Sequence, residues 1–82
     1  MTSADLLAEV CTLSKNSEGR AYVLITTGIP RPHPQRQHPL EYRVQVRFYG
    51  QPHTSVGLTL DGALDRARQW LNAAHAQMAP SL

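Results

Sequence analysis

Residues 40–58, Leu-Glu-Tyr-Arg-Val-Gln-Val-Arg-Phe-Tyr-Gly-Gln-Pro-His-Thr-Ser-Val-Gly-Leu, decide the fold. Leu40, Tyr42, Val44, Val46 and Phe48 alternate with Glu41, Arg43, Gln45, Arg47 and Tyr49. A period of two is the mark of a strand with one face in a core and the other in water. Gly50-Gln51-Pro52-His53 reads as the turn that follows. Thr54–Leu58 then reads as a returning strand, with Val56 and Leu58 inward and Ser55 and Gly57 outward.

On the C-terminal side the period changes from two to 3.6. Leu60, Ala63, Leu64, Ala67, Trp70, Leu71, Ala74 and Met78 form one apolar stripe over residues 59–78. Thr59 is suited to cap this helix, and Asp61 sits well against the positive end of its dipole. Pro80 fits just past its end.

On the N-terminal side, residues 28–39 hold Pro30, Pro32, Pro34 and Pro39. Proline fixes φ and supplies no N–H, so we expect an extended, proline-rich loop here. Arg20–Thr27 contains Tyr22, Val23, Leu24, Ile25, Thr26 and Thr27, a β-branched and aromatic run that reads as a strand. Its apolar residues are nearly continuous, so its buried face is not readable. Asn16–Gly19 is a turn by composition. In residues 3–14, Leu6, Leu7, Val10 and Leu13 share one helical face, and Ser3 or Thr2 can cap it. Alternation around Val10 and Thr12 also permits a strand there. The strong helix formers Leu-Leu-Ala-Glu favour the helix.

The expected fold is a single small α+β domain over residues 1–82 in the order α-β-β-β-α. Its three-stranded antiparallel sheet would carry both helices on one face and leave the other to solvent. Composition agrees: 82 residues, 41% hydrophobic and 17% charged, bound one soluble domain. No apolar stretch is long enough to cross a membrane, and no secretory leader opens the chain, so a cytoplasmic location is expected. The lone Cys11 allows no intramolecular disulfide and reads as a small core hydrophobe.

No phosphate-binding glycine loop, Gly-x-Ser-x-Gly elbow or His-Glu-x-x-His is present in the sequence. His33, His38, His53 and His75 match no metal-ligand spacing. We therefore expect no enzyme, no cofactor and no metal.

The net charge of +2 is unevenly spread. Arg31, Arg36, Arg43 and Arg47 stand against Glu41 alone in residues 31–53. Arginine suits planar contacts to phosphate or carboxylate, and with tyrosine it is enriched at interface hot spots. The candidate binding residues are thus Arg31, Arg36, Arg43, Gln45, Arg47 and Tyr49. Two functions fit them. One is a non-catalytic protein-interaction module, as a homodimer or as a small accessory or inhibitory factor of bacterial or phage type. The other is RNA or DNA binding through the arginines of the open sheet face and the loop.

Several segments resemble the double-stranded RNA-binding domain. Residues 3–11 look like its first helix, Ala21-Tyr22-Val23 like its first strand, and Gly28-Ile29-Pro30 through His33 like its Gly-Pro-x-His loop. Thr59-Leu60-Asp61-Gly62-Ala63-Leu64 stands where that family has a lysine-rich helix start that grips phosphates. Leu60, Asp61 and Leu64 replace those cations. The resemblance covers residues 3–76 and implies weak or lost duplex-RNA binding, with dimerisation or protein contact instead. Tyr42–Leu71 is also similar to the three-stranded, sheet-reading DNA-binding domains at integrase N-termini, which would use Arg43, Gln45, Arg47 and Tyr49.

Overall fold

The computed structural model describes residues 2–16, 18–28 and 40–78. The proline-rich segment beyond Gly28, with Arg31 and Arg36, lies outside the described residues. The order is helix α1 (Ser3–Ser14), strands β1 (Val23–Gly28), β2 (Glu41–Phe48) and β3 (Gln51–Gly57), then helix α2 (Leu60–Met78). The α+β order α-β-β-β-α is as expected.

The start of α1 is fixed by a reciprocal cap. Thr2 Oγ1 accepts from the Asp5 N–H at 3.2 Å, and the Asp5 carboxylate accepts from the Thr2 N–H at 3.0 Å. The Thr2 N–H, then its hydroxyl, hold the Asp5 carboxyl below the usual carboxylate range. This cap selects helix over the competing strand for residues 3–14.

The strands form one antiparallel sheet in the order β1-β2-β3. β1 starts later than the expected residue 20, because Asn16 holds the preceding turn. Asn16 Oδ1 accepts from the Glu18 and Arg20 N–H groups, and the Arg20 carbonyl accepts from the Asn16 N–H. β2 ends at Phe48, and Tyr49 and Gly50 form a two-residue turn with φ of 51° and 84°. Both central residues are left-handed, as a hairpin turn matched to sheet twist requires.

That tight turn corrects β3. The strand begins at Gln51 rather than Thr54, and Phe48 pairs with Gln51, Val46 with His53 and Val44 with Ser55. The phase is the reverse of the expectation. Ser55 is buried, Val56 lies on the outer face, and Leu58 is 67% exposed beyond the strand. Gly57 also faces the helices, across from Tyr42. A Cβ there would sit 2.8 Å from the Ala63 nitrogen and 3.2 Å from the Thr59 carbonyl oxygen, so glycine permits the close approach of β3 to the start of α2.

The core joins Leu6 and Val10 of α1, Val44, Val46 and Phe48 of β2, and Ala63, Leu64, Ala67 and Leu71 of α2. The two helices run parallel. Ser3 donates to the Asp61 carboxylate at their starts, Glu9 meets Arg68 at 3.4 Å midway, and His75 Nε2–H donates to the Leu13 carbonyl at 2.6 Å near their ends. α2 lies over β2 and β3, whereas α1 rests chiefly on α2. The helix-side surface of β1 is consequently only partly covered, and Ile25, paired with Val44, stays 37% exposed.

Candidate functional site

The face of the sheet turned away from the helices carries Arg43, Gln45 and Arg47 of β2, as alternation requires. The register places Leu24 beside Gln45 and Thr26 beside Arg43, on the β1 side of the same face. One step further along, the Arg47 guanidinium lies over the Tyr22 ring, 5.1 Å from its centroid. This is cation–π range.

The arginines differ in what they offer. Arg43 donates through Nη2 to Glu41 at 3.1 Å, a pair at positions i and i+2 on the same face. Its charge is thereby largely offset. Arg47 meets no carboxylate among the described residues and presents its cation on an aromatic platform. Gln45 is half-buried between the two.

Tyr49 does not share that face. It sits in the left-handed turn, 53% exposed, with its ring edge-on to Phe48 at 4.7 Å. With Tyr22, Arg47 and Arg20 it borders a shallow depression of about 460 Å³ between the Asn16 turn and the β2–β3 hairpin. Arg43, Gln45 and Arg47 are thus brought onto one face, Tyr49 onto its corner, while Arg31 and Arg36 lie outside the described residues.

The end of the sheet is closed by an aromatic cluster. His53 stacks on Trp70 at 4.4 Å and 3°, and Phe48 meets Trp70 and His75 edge-on. His53 is half-buried in β3 rather than exposed in a turn, and burial pushes its imidazole below the usual range. Cys11 is half-buried beside the α1 core stripe. No helix among the described residues is long and apolar enough to cross a membrane.

Sequence reasoning missed the residues that most distinguish this surface. Tyr22 and Leu24 on the outer face and Ile25 on the helix side are large and exposed along β1, and Leu40 is exposed just before β2. Among the described residues no strand pairs with the outer edge of β1. The signal was present as a six-residue strand, Val-Leu-Ile-Thr-Thr-Gly, with no charge and no proline. Edge strands are usually blunted by such residues. The opposite edge is guarded: β3 carries Pro52, and Arg66 Nη1 of α2 donates to the Val56 carbonyl at 2.7 Å.

No family model matches the chain, and comparison with curated proteins and with solved structures returns no significant match.

Proposed function

We propose that this chain is a non-catalytic protein-interaction module whose binding surface is the β1 edge together with the adjoining outer face of the sheet. The observation that carries this reading is the exposure of Tyr22, Leu24 and Ile25 along an edge strand without guarding charges. A partner strand laid along β1 would satisfy its outward backbone groups and cover these side chains. Tyr22 and Arg47 then supply the aromatic and guanidinium anchors common at such interfaces.

The state of the cations favours this reading over nucleic acid. Arg43 is paired with Glu41, and Arg68 bridges Glu9 and Asp65. The likeness to the double-stranded RNA-binding domain belongs to the proposal as a likeness with altered function. At the position of that family's basic helix start, Asp61 accepts from the Ser3 hydroxyl and Leu64 is fully buried. Neither offers a cation to a phosphate.

The test is site-specific photo-crosslinking in cells. A photoreactive residue at Leu24 is expected to give protein adducts, and one at Ala73, exposed on α2, is expected to give none. No adduct at Leu24 would overturn the reading. So would tight binding of generic duplex RNA or DNA at low salt, with a log–log salt slope of about −3 to −4.

A further inference from the structure

We infer that the occupant of the β1 edge is a second copy of this chain, the two β1 strands pairing antiparallel about a two-fold axis through Ile25. The inference rests on the interaction reading above and names its partner.

Symmetry restricts the pairing. A two-fold axis normal to the sheet leaves every residue on its own face, and residues directly opposite in an antiparallel pair share a face. The axis must therefore pass through a residue and not between two. Placed at Ile25, it pairs Val23–Thr27 within β1 and sets Gly28 against Tyr22, the residue before the strand. Placed at Leu24, it leaves Thr27 and Gly28 beyond the pairing, and placed at Thr26 it sets Val23 against Ile29, outside the described residues.

The side chains suit that register. On the helix side Ile25 meets the partner's Ile25, and Val23 meets the partner's Thr27. These are β-branched pairs of the kind that stabilise neighbouring strands. They also cover Ile25, a helix-facing residue that the helix layer leaves 37% exposed. On the outer face Leu24 meets the partner's Thr26, and Tyr22 lies beside the partner's Gly28, where no side chain obstructs the ring.

The charges favour a copy of the same chain, paired in this direction. β1 has no charged residue, so its self-pairing sets no like charges opposite each other. Arg47 lies at the Tyr22 end and Glu41 faces Gly28 at the other end. Antiparallel pairing sets the two Arg47 residues at opposite ends of the joined strands, so the cations do not meet. Parallel pairing would need an axis along the strands, which would put the two helix layers on opposite faces of the joined sheet. The product is a continuous six-stranded sheet with all four helices on one face. One strand pair and a small apolar cluster make an interface at the low end of the usual size range, so a dissociation constant on the order of 10 µM is expected.

Sedimentation velocity from about 1 to about 500 µM spans that value. The purified chain should pass from monomer to dimer, and Leu24→Lys should raise the dissociation constant at least ~10-fold. Register is read by cysteine crosslinking in a Cys11→Ser background. Ile25→Cys should oxidise readily to a dimer, because opposite Cα atoms lie ~4.5–5.5 Å apart, within disulfide range. Leu24→Cys should link far more slowly, since its counterpart is displaced by two residues, beyond ~7 Å. A monomer at every concentration overturns the inference, as does a dimer indifferent to Leu24→Lys or one that links faster through Leu24→Cys. If Ile25→Cys does not fold, sedimentation of the exposed-face Leu24→Lys variant decides. A monomer that still crosslinks to another protein through Leu24 in cells overturns self-pairing and leaves the interaction reading standing. No adduct at Leu24 overturns both.

Discussion

Gly57 ends β3 and Tyr49 opens the turn that precedes it, and each is constrained by backbone. At Gly57 an added methyl meets main-chain atoms of Thr59, Gly62 and Ala63, which cannot swing aside as a side-chain tip would. Gly57→Ala should therefore lower unfolding free energy by about 1–3 kcal/mol in a urea titration. Tyr49 is the opposite case. It holds φ of 51°, a region where Asn, Asp and Gly are favoured in a two-residue hairpin. Its ring is mostly exposed, so little burial would be lost on replacement. Tyr49→Asn should raise the urea midpoint, by about 0.5–1 kcal/mol in stability. A residue that strains the chain while exposing an aromatic ring is one whose side chain serves a surface rather than the fold.

At the scale of the elements, the two sheet edges differ in kind. Arg66 reaches from α2 to the Val56 carbonyl and fastens the β3 edge. Arg66→Met, which keeps most of the stem but removes the donor, should cost about 0.5–1.5 kcal/mol by thermal or urea unfolding. The sequence made α1, β2 and α2 legible because each has a clear period, and the structure reproduces them to within a residue or two. β3 was misphased for a definite reason. Tyr49 prolongs the alternation of β2, and Gly-Gln-Pro reads as a turn, so the real turn at Tyr49-Gly50 is hidden. Pro52 is tolerated in a strand because β3 is an edge. Of the candidate site, the outward placement of Arg43, Gln45 and Arg47 was legible from alternation alone. The contact of Arg47 with Tyr22 was not, because it depends on cross-strand register. Nor was the exposure of Ile25, because it depends on where α1 comes to rest.

For the whole molecule, stability is coupled to pH through His53. Burial against Trp70 holds its imidazole below the ordinary value of 6.5, so the unfolded chain takes up the proton first as pH falls. The contribution is fully present above about pH 6.5 and is lost as pH falls toward the lower folded value. The urea midpoint should drop across that window, and His53→Gln should flatten the drop. An unchanged slope in the variant would assign the acid sensitivity to other groups. The parallel docking of α1 on α2 has a consequence in time. Residues 3–14 find their main support in residues 60–78, so α1 is made well before α2 and must wait for it. Closing so long a loop is a slow step in folding, and until α2 docks the apolar face of β2 and β3 stands uncovered in the nascent chain. The interval before α2 arrives is therefore when this protein is most prone to aggregate.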